Sequence, residues 1–276
     1  DKELESMEQS VCMTCGSCSG MYTANTMNCL TEALGIALPG NGTIPAVFAD
    51  RVRLAKQTGM LAVKLFEDNV TARKIINRRS IINAFKMDMA LGGSTNSILH
   101  LLAISNEAQS PVSLKEVSEI SDSTPQLCKL NPAGPYYIYD LDQAGGITSV
   151  LAELVKGRHI DAGAATIDGT IASRLETYRK RFVSEERAGA DGEVIKPYDS
   201  PEGPDGGIAV LYGNLAPEGC VVKKGAVDPE MLRHRGPAKV FDCEDDAVDA
   251  IFGGKIHKGD VVIIRFEGPK GGPGMR

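Results

Sequence analysis

Apolar residues follow two different periods along the 276-residue chain, and the change falls in a stretch rich in Glu, Gly, Asp and Pro at 184–207. Before this stretch, apolar side chains recur every three to four residues, which is the period of a helix that buries one face. In this first part, the helical pattern at 80–91 breaks at Gly92-Gly93, and Ser113 and Glu116 have the spacing of a capping box at a helix start. After the stretch at 184–207, apolar side chains form short runs that are typical of strands. These runs are 208–212, 220–222, 238–241 and 261–266. The sequence therefore predicts a mostly helical first part and a strand-rich second part.

The length of the chain favours two domains, because one domain usually takes about 100–200 residues. The first domain covers 1–195, and the linker at 196–207 ends in the turn-forming sequence SPEGPDGG. From 208 to 276 the pattern predicts the start of a β-barrel or sandwich, with one helix at 244–252 inserted between strands.

Charge and composition exclude several classes of protein. The net charge of −6 argues against a nucleic-acid partner. No apolar run approaches the roughly 18 residues of a membrane span, and the charged opening DKELE is unlike a secretory signal. Seven cysteines in such a chain indicate a reducing compartment. Because the chain starts without Met and stops in a Gly-rich turn, we interpret it as an internal fragment of a longer protein.

Three cysteines, Cys12, Cys15 and Cys18, are spaced as C-x2-C-x2-C. Thiolates at this spacing bind iron–sulfur clusters or zinc, but the fourth cysteine of a ferredoxin-type run is missing, because position 22 is Tyr. Cys18 is predicted to lie directly before a helix that Ser19 caps, where backbone N–H groups favour a thiolate. Inert thiols in a small-residue loop are the alternative.

Two further segments could carry chemistry. Glu267 follows an apolar strand and opens a Gly/Pro loop, which is a position suited to a Mg²⁺ ligand or to a solvated surface carboxylate. The second segment, a Gly-Gly-Ser-Thr-Asn loop at a predicted helix start, offers backbone N–H groups and hydroxyls that could bind an anionic substrate. Capping of the following helix explains the presence of these residues equally well. The residues of this segment, the GGSTN loop, are Gly92, Gly93, Ser94, Thr95 and Asn96. The four histidines show no metal-ligand spacing.

Long motifs throughout the chain resemble the dihydroxy-acid dehydratase family. They are 15–27 (CGSCSGMYTANTM), 32–35 (EALG), 92–96 (GGSTN), 99–102 (LHLL), 125–128 (PQLC), 205–214 (DGGIAVLYGN) and 266–275 (FEGPKGGPGM). The motifs occur in the expected order and cover nearly the whole chain. Related sugar-acid dehydratases share the architecture, but the CGSCSGMYTANTMN form is more similar to the branched-chain enzymes.

The resemblance implies a hydro-lyase of valine, isoleucine and leucine biosynthesis. Its substrate would be a small dihydroxy acid, 2,3-dihydroxy-3-methylbutanoate or its methylpentanoate homologue, and its product the 2-oxo acid. Cofactors in this family are Mg²⁺ and an iron–sulfur cluster, either 2Fe–2S or 4Fe–4S, with one iron open to act as a Lewis acid. The family also implies a homodimer at full length, in the cytoplasm of a bacterium or in an organelle.

Matched to the family motifs, Cys18 corresponds to the third cluster cysteine and Glu267 to a magnesium ligand. Cys12 and Cys15 are expected to neighbour the cluster, and the GGSTN loop to border the substrate cleft. The other two cluster cysteines and an Asp–Lys pair of the magnesium site would lie upstream, and the serine base downstream. No catalytic residue is therefore expected within this chain, and the fragment alone should be inactive.

The family fold is an α/β N-terminal domain followed by a barrel similar to the swivelling domain of aconitase, with the active site between them. Two alternatives stay open: a sugar-acid dehydratase of the same superfamily, and a small metal-binding or redox module that uses the three cysteines.

Overall fold

The computed structural model describes Gly16 and residues 18–182 and 192–268. It divides into two compact units, Asp1–Ala226 and Val227–Arg276. The helices are α1 Thr23–Ala33, α2 Ala49–Glu67, α3 Ala72–Ile75, α4 Arg78–Leu91, α5 Asn96–Glu107, α6 Leu114–Ser123, α7 Ile138–Gln143, α8 Gly146–Lys156, α9 Ile171–Phe182 and α10 Glu244–Phe252. The strands are β1 Ala165–Thr166, β2 Gly169–Thr170, β3 Ala209–Leu211, β4 Cys220–Val222, β5 Ala238–Phe241 and β6 Val261–Ile264.

The first unit is built around α4, whose side chains are buried on nearly every face. Helices α1, α5, α6 and α8 pack against it. This helix ends at Gly92 in the left-handed conformation (φ 60°), as the Gly92-Gly93 break in the sequence pattern predicts. The predicted capping box of Ser113 and Glu116 is confirmed at the start of α6.

The antiparallel hairpin of β3 and β4 also lies in the first unit. Ile208, directly before β3, is fully buried, and its carbonyl accepts a hydrogen bond from the Ser121 hydroxyl of α6 (2.5 Å). The strand runs predicted at 208–212 and 220–222 are thus confirmed in type. We predict that, in the whole protein, the first domain ends at residue 195 and the second begins at residue 208. These two limits stay predictions.

The second unit contains a β–α–β arrangement. Strands β5 and β6 pair in parallel, with Ala238 opposite Val261 and Phe241 opposite Ile264, and α10 connects them. The bounds of α10 match the inserted helix that the sequence predicts. Each sheet in residues 18–182 and 192–268 has two strands, so these residues form no closed barrel and the predicted barrel is not confirmed. In the same residues no helix is long and apolar enough to cross a membrane.

Candidate functional site

The turn that precedes α1 presents Cys18 as an exposed, free thiol. We call residues 18–22 the cysteine turn. The side chain of Asn25, in the first turn of α1, reaches back to it: its Nδ2 lies 2.8 Å from the Gly20 carbonyl and 3.6 Å from Cys18 Sγ, and it also contacts the Cys18 carbonyl. An amide N–H directed at a cysteine sulfur is a common contact around sulfur atoms that bind a metal.

The predicted position of Cys18 directly before the helix is wrong, and so is the Ser19 cap. The helix begins at Thr23 with Tyr22 as its N-cap, and no side chain caps it. Distant parts of the chain hold the cysteine turn instead: Met21 N–H donates to the Asn131 carbonyl (2.7 Å), and Ile138 N–H donates to the Ser19 carbonyl (2.8 Å). A local pattern cannot show such long-range bonds.

Cys18 lies on the wall of a cavity of about 550 Å³. Asn28, Asn41, Arg51 and Tyr139 contribute further polar groups to this wall. Arg51 is fixed there, because one guanidinium nitrogen donates to the Asn41 carbonyl (3.1 Å) and the other to the Ile44 carbonyl. The cavity is polar and large enough for an inorganic cofactor or a small acid.

A buried carboxylate, Glu32, anchors a loop that also lines this cavity. Gly42 N–H donates to its Oε1 (2.8 Å) and Gly40 N–H to its Oε2 (3.1 Å). Burial raises the pKa of Glu32 to about 7, although both hydrogen bonds oppose the shift. A Cβ at Gly42 would lie 2.6 Å from Cys29 Sγ, so only glycine permits this close approach. Sequence reasoning missed Glu32.

The GGSTN loop contacts the same end of α1 as the cysteine turn. Ser94 N–H donates to Thr26 Oγ1 (3.1 Å), Ser94 Oγ lies 3.0 Å from Thr23 Oγ1, and Asn96 Nδ2 donates to Thr23 Oγ1 (2.8 Å). The first turn of α1 therefore joins two of the predicted motifs. The loop also supplies Thr95, the residue directly before α5, but the Thr95 side chain makes no capping hydrogen bond.

Asp88 and Lys223 were not predicted as site residues, yet they lie beside this loop. Asp88 is fully buried; its Oδ2 accepts a hydrogen bond from Ser97, and its Oδ1 has no partner among the described residues. Burial raises the pKa of Asp88 to about 7, with Ser97 and Lys223 opposing the shift. Lys223 Nζ donates to the Met21 carbonyl of the cysteine turn (3.2 Å), and its own burial lowers its pKa.

Glu267 lies in the second unit, after β6. Its Oε1 accepts a hydrogen bond from Glu244 N–H, the first residue of α10 (3.0 Å), so the carboxylate stabilises the positive end of that helix. Its Oε2 has no hydrogen-bond partner among the described residues, which leaves an oxygen for a cation. The relation between Glu267 and Cys18 crosses the two units and stays a prediction.

Two family models cover almost all of the chain. The model for the dihydroxy-acid/6-phosphogluconate dehydratase N-terminal domain matches residues 1–174, and the C-terminal model of the same family matches residues 193–276. The chain belongs to the dihydroxy-acid/6-phosphogluconate dehydratase family. This membership confirms the resemblance drawn from the sequence motifs.

Curated members of the family align along the whole chain. Proteins named dihydroxy-acid dehydratase from Caldanaerobacter subterraneus subsp. tengcongensis and Dehalococcoides mccartyi are each 55% identical over 277 residues, and one from Acetivibrio thermocellus is 54% identical. Each alignment covers 100% of this chain and 48% of the relative. The chain thus spans about half the length of the curated relatives it matches.

Of the dehydratase residues predicted here, Cys12 and Cys15 lie outside the described residues. Within the described ranges no three His, Cys, Asp or Glu side chains come together in a group that could hold a metal ion. Cys18 is accordingly a single thiol ligand candidate, and Glu267 a single carboxylate candidate. Their roles as metal ligands stay predictions.

Proposed function

We propose that the whole protein containing this chain is a hydro-lyase that removes water from a 2,3-dihydroxy acid and yields the 2-oxo acid. The branched-chain acids 2,3-dihydroxy-3-methylbutanoate and its methylpentanoate homologue are the proposed substrates, which would place the enzyme in valine, isoleucine and leucine biosynthesis. The observation that carries the proposal is the 55% identity, over the whole chain, to proteins named dihydroxy-acid dehydratase.

Cys18 fits one ligand position of an iron–sulfur cluster, either 2Fe–2S or 4Fe–4S. Its thiol is exposed, it borders a cavity of about 550 Å³, and the Asn25 amide lies 3.6 Å from the sulfur. Hydrogen bonds to ligand sulfurs are a usual means of tuning such clusters. When bound, the cluster supplies a Lewis-acidic iron that favours departure of the 3-hydroxyl.

Glu267 fits a Mg²⁺ ligand, because Mg²⁺ prefers oxygen donors and takes few of them from the protein. Its Oε1 is held by Glu244 N–H at 3.0 Å, which fixes the carboxylate while Oε2 faces no described partner. Together with ligands from the rest of the protein, this oxygen would hold the ion that binds the substrate carboxylate and 2-hydroxyl.

The residues of this chain are proposed to bind and orient the substrate rather than to move its proton. The GGSTN loop, held on α1 by Ser94 and Asn96, would border the cleft with its backbone N–H groups. Cys12 and Cys15 would lie near the cluster. The proton at C2 would pass to a serine outside this chain, and the enol would then tautomerise to the ketone.

The architecture we propose is an α/β domain over 1–195, a linker at 196–207 and a barrel domain from 208, in which the parallel pair β5–β6 would be one part.

Turnover by the whole protein tests the proposal. We expect activity on the branched-chain dihydroxy acid and little on an aldonic acid, measured as formation of the 2-oxo acid. Turnover of the aldonic acid alone would instead identify a sugar-acid dehydratase. Stable, stoichiometric binding of iron or zinc by the 276-residue fragment, with neither acid consumed by the whole protein, would favour the small metal-binding module.

A further inference from the structure

Lys223 directly follows strand β4 and reaches back to the cysteine turn. Its Nζ donates a hydrogen bond to the Met21 carbonyl (3.2 Å), which lies 202 residues away along the chain. The side chain is half-buried, and this burial lowers the pKa of the ammonium group, with the charge of Asp88 opposing the shift. Because taking an ammonium group out of water costs free energy, a half-buried lysine indicates partners that compensate for the lost hydration.

Asp88 supplies the compensating charge. Its carboxyl group is fully buried; Oδ2 accepts a hydrogen bond from Ser97, and Oδ1 has no hydrogen-bond partner among the described residues. The Lys223 ammonium group is close enough to lower the pKa of Asp88, against the larger effect of burial. A carboxylate in this position gains more from a nearby cation than an exposed one does, because little water screens the attraction.

The same carboxyl group lies against the GGSTN loop. A Cβ at Gly93 would lie 2.0 Å from Asp88 Oδ1, so this contact requires glycine at position 93. Gly93 N–H also donates to the Asp88 carbonyl (3.1 Å), and Ser97 belongs to the first turn of α5. Lys223 is thus linked to both predicted motifs: to the cysteine turn by a hydrogen bond, and by charge to the carboxyl group beside the loop.

The backbone on both sides of Lys223 is fixed to the rest of the first unit. Before it, β4 pairs with β3. After it, Gly225 N–H donates to the Gly207 carbonyl (3.2 Å), and Gly207 N–H donates to the Met89 carbonyl of α4 (3.0 Å). Because its backbone is held in this way, the Lys223 side chain can fix the position of the group that it contacts.

We propose that Lys223 is a positioning residue that holds the cysteine turn in place relative to the GGSTN loop. The proposal rests on the proposed function, in which Cys18 binds the cluster and the loop borders the substrate cleft. Lys223 acts through the Met21 carbonyl, three residues after Cys18, and touches neither substrate nor metal. A displacement of about 1 Å between reacting groups can lower a rate about a hundredfold, so turnover should depend on this contact.

Hydrogen exchange in the whole protein tests the contact itself and requires no turnover. Lys223→Met keeps an apolar side chain of similar length but removes the ammonium group, so amides of the cysteine turn should exchange about tenfold faster at pH 8. Lys224→Met is the matched control, because Lys224 pairs with Asp205 and should leave this exchange unchanged. Equal exchange of the cysteine turn in the two variants would overturn the proposal, and so would a uniform increase throughout the first unit.

Asp88→Asn provides a second variant that changes no atom of Lys223. At pH 8 the carboxyl group of the parent is largely ionised, and loss of this counter-charge should speed local exchange of the cysteine turn about two- to fivefold. If the two residues act as one unit, the double variant should exchange no faster than Lys223→Met alone. Independent, multiplying effects of the two substitutions would overturn the part assigned to Asp88.

Kinetics of the whole protein separate a positioning role from a purely structural one. In Lys223→Met, kcat for the branched-chain dihydroxy acid should fall about ten- to a hundredfold, while KM changes less than about threefold and the iron content persists. Lys224→Met should match the parent in both constants. A looser cysteine turn with an unchanged kcat would overturn the proposal. A parent protein that consumes no dihydroxy acid would instead contradict the proposed function, and the exchange measurements would still decide whether Lys223 holds the turn.

Discussion

Substitution of Asp88 by Asn should change how the stability of the protein depends on pH. Asp88 is fully buried in the last turn of α4, and its Oδ1 has no partner among the described residues. Burial raises its pKa from 3.8 to about 7, so the folded protein keeps a proton that the unfolded chain has lost. Because the unfolded state binds fewer protons across this range, the free energy of unfolding falls as pH rises.

The size of this effect follows from the shift. About three pKa units at about 1.36 kcal/mol each give a loss of about 4 kcal/mol between pH 3.8 and 7. The part that falls between pH 5 and pH 8 is about 2–3 kcal/mol. Asn has nearly the same shape and keeps an acceptor for Ser97, but it cannot ionise. The free energy of unfolding of Asp88→Asn, relative to the parent, should therefore rise by about 2–3 kcal/mol from pH 5 to pH 8.

Urea denaturation at pH 5, 6, 7 and 8, followed by circular dichroism, measures this difference. Asp122→Asn is the control, because Asp122 is exposed on α6 and its removal should shift all four values by a similar, small amount. A constant difference between Asp88→Asn and the parent across the four pH values would refute the assignment of a buried, protonated carboxyl to Asp88.

Three other substitutions test separate parts of the account. Arg174→Met should lower the free energy of unfolding by about 3 kcal/mol, because the substitution removes a buried guanidinium that binds Asp168 and two carbonyls. Thermal denaturation measures this loss of stability, and a loss below about 1 kcal/mol would contradict the prediction. Ser113→Ala should cost about 1 kcal/mol by removing the cap of α6, with Ser123→Ala as the control. Glu267→Gln in the whole protein should abolish turnover while the iron–sulfur absorbance persists; unchanged turnover would exclude Glu267 as a magnesium ligand.

Sequence patterns predicted the elements whose signals are local. The capping box at Ser113, the helix end at Gly92 and the bounds of α10 depend on residues within a few positions of each other, and all are confirmed. The start of α1 depends instead on bonds from Asn131 and Ile138 to the cysteine turn. Such distant partners leave no trace in a local pattern, so the predicted Ser19 cap was wrong.

The buried carboxyls of the candidate site carried a signal that was overlooked. Glu32 follows the buried Cys29 at helical spacing, and Asp88 follows the buried Phe85 in the same way. Each charged residue therefore lies on the same face of its helix as a core residue. A charged residue at a position where the period demands an apolar one indicates a buried, hydrogen-bonded group. Lys223 could not be found this way, because its contact with Met21 joins distant parts of the chain.

The most direct measurement is the iron content of Cys18→Ser in the whole protein, read together with its visible absorbance and its turnover of the branched-chain dihydroxy acid. Cys220→Ser is the matched control, because Cys220 is also an exposed free cysteine. The account predicts that iron, absorbance and activity are lost together in Cys18→Ser and retained in Cys220→Ser. Full iron content with normal turnover in Cys18→Ser would contradict it.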